Sequence, residues 1–183
     1  GKKAYEVERS LRFNDNDNTR LTKTFSGAGN RKTWTISMWF KRGHIANGDD
    51  NLRQDLFCTN GNSNSTFFDA RFLANDTLQI GLWSVVILTT NQVFRDPSAW
   101  YHLVVSFDST QSTASNRLKL YLNGSEITSF STDNRSSSIT QDGDFGINST
   151  QLLSLGNHAV GGYFWFDGYM AEINLVDGLQ LDP

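Results

Sequence analysis

The stretch that most constrains the fold of this chain is residues 100–124, where two alternating segments flank a polar loop. In an extended strand, alternate side chains point to opposite faces, so every second residue belongs to the same face. One face of the first segment carries Tyr101, Leu103, Val105 and Phe107. Leucines repeat the pattern in residues 118–122, and Asn123-Gly124 is a pair that closes tight hairpins because both residues tolerate positive φ. The stretch predicts two paired strands and a sharp turn.

Residues 34–41 show the cleanest alternation and predict a central strand, with Trp34, Ile36, Met38 and Phe40 on one face. Further short strands are predicted at 10–13, 21–25, 55–59, 66–72, 78–82, 83–90, 126–130, 152–155 and 164–176, with a short edge strand at 4–7. The final strand alternates through Tyr169, Ala171, Ile173 and Leu175. Met170 falls out of phase there, which predicts a bulge near Gly168.

More than ten short strands with aromatic inward faces, and no helical period, predict an all-β fold: a two-sheet antiparallel jelly-roll sandwich. Apolar residues are 38% of the chain, with thirteen Phe and five Trp, so large aromatic side chains must build the core. A length of 183 residues suits one domain over 1–183. Because the chain starts without Met and ends abruptly, we expect a processed chain or a part of a longer chain or assembly.

Charge and cysteine content argue against several classes of protein. The net charge is −3, and the 16 basic residues form no run that could follow a phosphate backbone, so we expect no nucleic-acid partner. The single Cys58 cannot form an internal disulfide, and its apolar surroundings favour a small buried side chain over a reactive thiol. No apolar stretch is long enough to span a bilayer, so no membrane insertion is expected.

Four motifs in order resemble the concanavalin A-like, laminin G-like jelly-roll family: WTISMWF at 34–40, WYHLVVSFD at 100–108, LKLYLNG at 118–124 and FDGYMAEINL at 166–175. The resemblance covers residues 10–182. It implies a sandwich of the concanavalin A-like lectin/glucanase type. The end of the chain, residues 171–183, is similar to the close of laminin G-like domains in tail-fibre and other virion-surface proteins of tailed phages. That similarity implies an extracellular domain on the virion surface, a homotrimer if on a fibre, which contacts host-surface polysaccharide or other virion proteins.

Family members that hydrolyse glycans carry carboxylates a few residues apart on one strand, so that one donates a proton while another attacks or activates water. This chain lacks that arrangement, and Glu172 has no acidic residue two positions away on either side. We therefore expect a protein that binds and is not an enzyme.

Aromatic rings beside amide groups are the expected features of a carbohydrate site, because a flat apolar face stacks on a sugar while amides bind its hydroxyls. The candidates are Trp165, Asn157, His158 and Tyr163 in a glycine-flanked loop, together with Trp83 and Trp39. The alternative that the tryptophan rings fill the core stays open. His102 is interpreted as a structural residue, since no Ser or Cys nucleophile stands in register with it.

Turns rich in aspartate offer oxygen ligands, and the family resemblance implies calcium at a loop rim. Asp142 and Asp144 flank a glycine that lets carbonyl groups turn inward, so these two are the candidate Ca²⁺ ligands. The alternative is a solvated turn held by its own hydrogen bonds. Three scattered histidines and one cysteine show no metal-ligand spacing.

Three functions remain open at this point. The first is a virion-surface domain that recognises host-surface glycans without catalysis. The second is a structural or cementing virion protein that makes only protein contacts. The third, a glycoside hydrolase or lyase, would need catalytic residues in an arrangement that the sequence does not reveal.

Overall fold

A computed structural model describes residues 7–183 and shows an all-β fold, whereas the edge strand predicted at 4–7 lies outside the described residues except for Val7. In this part of the chain the strands are β1 (Leu11–Phe13), β2 (Leu21–Lys23), β3 (Thr33–Arg42), β4 (Gln54–Thr59), β5 (Asp69–Phe72), β6 (Thr77–Gly81), β7 (Val86–Val93), β8 (Tyr101–Asp108), β9 (Leu118–Leu122), β10 (Ser125–Glu126), β11 (Phe130–Asp133), β12 (Leu153–Leu155) and β13 (Gly168–Asp177). Short 3-10 helices span Asp15–Asp17, Asp50–Leu52 and Ala114–Asn116, and one α-helical turn, α1, spans Arg135–Ser138. Within residues 7–183, no helix is long and apolar enough to cross a membrane.

The strands form two antiparallel sheets, which confirms the predicted jelly-roll sandwich. The six-stranded sheet has the order β1-β13-β3-β8-β9-β10, and the seven-stranded sheet has the order β11-β7-β6-β5-β4-β12-β2. The predicted hairpin is present between β9 and β10, where Asn123 and Gly124 adopt φ values of 50° and 83°. Such positive φ angles match the right-handed twist of the flanking strands.

Aromatic rings from both sheets meet in the core, as the composition predicts. Trp34 of β3 is fully buried, stacks on Phe107 at a centroid distance of 4.9 Å and meets Phe68 edge-on at 5.0 Å. Aromatic pairs of this kind contribute about 0.5–1.5 kcal/mol each beyond the area they bury. The alternating faces predicted for β3 and β8 point into this core.

The predicted phase of the last strand is wrong at its start. Met170 is fully buried in the core, whereas Tyr169 is exposed on the opposite face. The register against β3 shifts between Ala171 and Asn174, and Glu172 lies there at φ 49°, so the bulge is not at Gly168. The extra residue reverses the alternation, so that Ile173 and Leu175 still pack against the core.

A buried carboxylate fastens the long excursion after β3 to the body. Asp76 Oδ1 accepts hydrogen bonds from Arg42 Nη1 at 2.9 Å and from Ala46 N at 2.9 Å, and Oδ2 accepts from Arg95 Nε at 3.0 Å and from Asn47 N at 3.2 Å. Both Arg42 and Asp76 are fully buried. The excursion, residues 43–53, is thereby held beside the seven-stranded sheet.

Candidate functional site

The outer face of the seven-stranded sheet, which points away from the core, carries a row of polar residues. Cross-strand partners run from Asp55 on β4 to Arg71 on β5, Gln79 on β6 and Thr89 on β7. The Arg71 guanidinium donates from Nε to Gln79 Oε1 at 3.1 Å. This polar row is the floor of the candidate site.

A bulge in β4 places two functional side chains on this face together. Residues three positions apart on a regular strand point to opposite faces. The register between β4 and β5 shifts between Asp55 and Phe57, and Cys58 then pairs with Asp69. Asp55 and Cys58 therefore both face outward, on the same side as Asp69.

The glycine-flanked loop, residues 156–165, covers that part of the floor. His158 N donates to Tyr163 O at 2.8 Å, and Asp55 N donates to Phe164 O at 2.9 Å, which ties the loop to β4. Gly161 has φ 87°, and a methyl group there would lie 2.5 Å from the Tyr163 ring, so this turn requires glycine. The loop can fold this tightly because two of its tip residues have no side chain.

Three buried polar side chains meet where the loop packs against β4. His158 Nδ1 lies 2.7 Å from Asp55 Oδ2, and Cys58 Sγ accepts a hydrogen bond from Ala159 N at 2.9 Å. The donor atoms of Asp55, Cys58 and His158 all lie within 4.8 Å of one another. We refer to these three residues as the buried triad; sequence spacing gave no indication of it because 100 residues separate Cys58 from His158.

Asp69 lies beside the buried triad and is fully buried. Arg71 Nη1 is 3.3 Å from Asp69 Oδ2, yet within residues 7–183 neither carboxylate oxygen accepts a hydrogen bond of normal geometry. The absence of a side chain at Gly81 makes room for the Asp69 carboxylate, because a methyl group at Gly81 would lie 2.6 Å from Asp69 Oδ1.

Burial dominates the proton affinities of these groups, because a low dielectric disfavours the charged form. It raises the pKa of Asp69 to about 7, although the neighbouring Arg71 opposes the rise. Burial also raises the pKa of Asp55, against the hydrogen bond from His158, and raises the pKa of the Cys58 thiol well above its ordinary value. Without a nearby cation, burial therefore favours the protonated thiol over the thiolate.

A line of aromatic rings, the ring row, crosses the site and includes the His158 ring of the buried triad. Its centroids follow one another at 5.7 Å, 5.4 Å, 4.7 Å and 4.6 Å, in the order Trp83, Phe67, His158, Tyr163 and Phe164. Trp83 is 47% exposed and Tyr163 is 45% exposed, whereas Phe67 and His158 between them are buried. The ring row therefore offers solvent two separated aromatic surfaces.

A cleft of about 260 Å³ adjoins the ring row at Tyr163. Its aromatic lining is Tyr163, Phe164 and Trp165, and its polar lining comes from Asp15, Asn16, Asn51, Arg53 and Gln54. The Arg53 guanidinium lies over the Phe164 ring at 5.9 Å. The cleft thus places aromatic faces opposite amide, carboxylate and guanidinium groups.

The structure brings most of the predicted carbohydrate-site residues to one region. Trp83, His158 and Tyr163 belong to the ring row, and Trp165 lines the cleft below the Arg20 guanidinium, at 5.6 Å. Asn157 is buried: its side chain bonds the Ser154 hydroxyl and donates to His158 O at 3.0 Å, so it supports the loop.

Two sets of predicted residues lie elsewhere. Trp39 lies on the outer face of the six-stranded sheet, 5.0 Å from His102 between ring centroids. Asp142 and Asp144 lie in an exposed turn, where Asp144 Oδ2 is 3.8 Å from Arg31 Nη1. Among residues 7–183, neither aspartate belongs to a cluster of three or more potential metal-ligating side chains, and calcium there stays a prediction.

Sequence comparison matches residues 13–179 to a family model described as the concanavalin A-like lectin/glucanases superfamily. None of the curated proteins matches the chain.

Similar solved structures share the fold at low sequence identity. A heptameric SAP-like pentraxin from Limulus polyphemus has a TM-score of 0.57 and 15% identity over 91% of this chain and 73% of its own. The CBM40 module of the Ruminococcus gnavus IT-sialidase, bound to α2,3-sialyllactose, has a TM-score of 0.53 and 13% identity over 87% of this chain and 91% of its own. The binding domain of Paraclostridial Mosquitocidal Protein 1 has a TM-score of 0.62 and 17% identity over 94% of this chain and 41% of its own.

Proposed function

Because this chain belongs to the concanavalin A-like lectin/glucanase superfamily, we propose that it is a non-catalytic glycan-binding domain that holds its ligand on the ring row and in the adjoining cleft. The observation that carries the proposal is Tyr163. This half-exposed ring both belongs to the ring row and lines the cleft, where Trp165 and amide side chains accompany it.

The chemistry of the surface suits a sugar. Aromatic faces bury the apolar face of a pyranose ring, and a few fixed polar groups give orientation by binding hydroxyl groups. Arg53 and Asn51 supply such groups at the cleft, and the exposed Trp83 supplies a second stacking surface at the far end of the ring row. A ligand of several sugars could contact both ends.

Binding without hydrolysis is supported by the position of the acidic groups. A glycosidase needs two carboxyl groups that touch the glycosidic bond. Asp55 and Asp69 are the buried carboxyl groups of this region, and both are 0% exposed beneath the loop and the ring row. A glycan on the surface would not reach them, and Asp15 lines the cleft without a second carboxyl group beside it among the described lining residues, so we expect no release of reducing ends.

The setting that we propose is the surface of a phage virion. The similarity of residues 171–183 to the close of laminin G-like domains in tail-fibre and virion-surface proteins supports this setting. The ligand would then be a host-surface polysaccharide, outside the cell, and the domain would contact other virion proteins, as a homotrimer if it stands on a fibre.

The test is a glycan array of bacterial surface polysaccharides followed by calorimetry on the hits. We expect Tyr163→Ala and Trp165→Ala each to weaken binding at least about tenfold, which corresponds to about 1.4 kcal/mol. Tyr169→Ala is the matched control, because Tyr169 is exposed on the other sheet. Thermal melts establish that each variant is folded.

Two results would contradict the proposal. One is equal loss of affinity in the Tyr163 and Tyr169 variants. The other is a folded wild-type protein that binds no glycan, which would instead favour the cementing role through protein contacts.

A further inference from the structure

We propose that the buried triad of Asp55, Cys58 and His158 is a binding site for a thiophilic divalent metal, with Zn²⁺ as the expected ion, that fixes the glycine-flanked loop on the sheet. Two of the three ligands come from β4 and the third comes from the loop, so one ion would join the two elements. The metal would lie beneath the surface that the glycan would contact, so metal binding can be measured without a glycan.

The donor set identifies the class of metal. A thiolate, an imidazole and a carboxylate are the ligands that Zn²⁺ takes in proteins, usually in a tetrahedral arrangement. The three donor atoms already lie within 4.8 Å of one another. Calcium and magnesium prefer six or more oxygen ligands, and sulfur is a poor ligand for either, so this set discriminates against hard cations.

A second observation points independently to a cation. In the described part of the chain, the fully buried Asp55 Oδ1 accepts no hydrogen bond, and the buried Asp69 oxygens accept none of normal geometry, although Arg71 Nη1 lies 3.3 Å from Oδ2. A buried carboxylate oxygen without a hydrogen-bond partner, such as Asp55 Oδ1, is costly because it has lost its contacts with water and has not replaced them. Asp69 is also the cross-strand partner of Cys58, which brings its negative charge next to the buried triad.

The charges balance when the ion is present. A divalent cation neutralises the Asp55 carboxylate and the Cys58 thiolate, while Arg71 neutralises Asp69 at 3.3 Å. Such neutrality matters because an uncompensated charge in a low dielectric is expensive. The Ala159 N–H, which donates to Cys58 Sγ at 2.9 Å, remains in place as a hydrogen bond to the coordinated sulfur.

Metal binding would remove a proton from Cys58 and one from the Asp55–His158 pair, and it would open the contact between Asp55 and His158. The Cys58 thiol would give its proton to solvent, and the proton shared between Asp55 and His158 would also pass to solvent, which leaves Asp55 charged and His158 neutral with its remaining proton on Nε2. Their 2.7 Å contact opens, since both atoms then bond to the metal at about 2.0–2.2 Å. The His158 ring, stacked on Tyr163 at 4.7 Å, becomes fixed by the ion and in turn orients Tyr163.

The experiment uses the protein stripped with a chelator and then titrated with Zn²⁺ or Co²⁺. We expect one metal ion per chain by elemental analysis, and a thiolate-to-cobalt charge-transfer band in the near ultraviolet. Zn²⁺ at about one hundred times its dissociation constant should raise Tm by about 5–10 °C.

Matched variants separate the buried triad from the surface. Cys58→Ser should abolish the cobalt band and the Tm shift, and its melt without metal shows whether it is folded. Asp55→Asn is a second variant with the same expected loss. His44→Gln is the control, because His44 is a partly exposed histidine that lies 3.7 Å from Asp15 and should leave both readouts unchanged.

Two results would overturn the inference: less than stoichiometric metal in wild type, or the same Tm shift in Cys58→Ser as in wild type. Failure of the metal site with glycan binding intact would overturn this inference alone. A stoichiometric metal in a protein that binds no glycan would support it and overturn only the proposed function.

Discussion

Replacing Asp76 with asparagine should remove the charge that fastens the 43–53 excursion. Asp76 accepts four hydrogen bonds, one of them from Arg42 Nη1, and among the described residues Arg42 Nε and Nη2 find no acceptor. In the variant, one of the two acceptor positions becomes an NH₂ group that faces donors. The buried Arg42 then loses its counter-charge, which costs about 3–5 kcal/mol in comparable buried pairs.

The expected loss is a large fraction of a typical total stability of about 5–15 kcal/mol. For a domain of this size it corresponds to a fall in Tm of roughly 6–20 °C. Urea denaturation at pH 7 gives the free energy of unfolding directly. Because the excursion carries Asn51 and Arg53, which line the cleft, glycan affinity should fall as well.

The loss of stability caused by Asp76→Asn should become smaller at low pH. Burial alone would raise the pKa of Asp76, but hydrogen bonds from Arg95, Ala46 and Arg42 outweigh it and hold the pKa below its usual value. A lowered folded-state pKa gives stability that is present above the unfolded value of about 3.9 and is lost as the pH falls through the folded value. The difference between wild type and Asp76→Asn should therefore narrow below about pH 4.

The control is Asp144→Asn, which changes an exposed carboxylate 3.8 Å from Arg31 and should alter stability by less than about 1 kcal/mol. A loss below 1 kcal/mol for Asp76→Asn, or a loss that stays constant from pH 7 to pH 3, would refute the reasoning.

Two glycine substitutions test the site. Gly161→Ala should displace the Tyr163 ring, because the new methyl group would lie 2.5 Å from it, and calorimetry should show weaker glycan binding than in wild type. Gly81→Ala should lower the free energy of unfolding by about 1–3 kcal/mol in urea melts, because its methyl group would lie 2.6 Å from the buried Asp69 carboxylate.

Gly161→Ala and Gly81→Ala each have a control that is also a glycine-to-alanine substitution. Gly124→Ala has the same backbone strain at φ 83°, but no atom lies within 4 Å of its methyl group, so glycan affinity should be unchanged. Gly27→Ala, in an exposed loop with no atom within 4 Å, should be nearly neutral in the urea melt. Equal effects in a variant and its control would show that crowding is not the cause.

Local rules account for most of the fold. Alternation predicts the inward faces of β3 and β8 because each strand is regular over its length, and the Asn123-Gly124 turn follows from the backbone freedom of two residues. Where a strand is irregular the same rule fails. The out-of-phase Met170 indicates a bulge in β13, but it does not give the position of the bulge, which is at Glu172 and not near Gly168.

Local sequence features predict one part of the candidate site, the loop, but not the buried triad. The loop could be recognised by its glycines and by its mixture of aromatic and amide side chains. The buried triad could not, because it depends on a bulge after Asp55 and on where the loop folds back over Cys58. One indication was available: Asp69 and Arg71 alternate with apolar residues in β5, which marks the outer face as polar.

The position of β13 in the six-stranded sheet has a consequence for biosynthesis. This strand is the last of the thirteen to leave the ribosome, yet it lies between β1 and β3. Until it emerges, β1 lacks the β13 neighbour that it has among the described strands, and one edge of β3 is open to pairing with other chains. The six-stranded sheet can therefore be completed only after synthesis of residues 168–177, and until then we expect the exposed edge of β3 to favour aggregation.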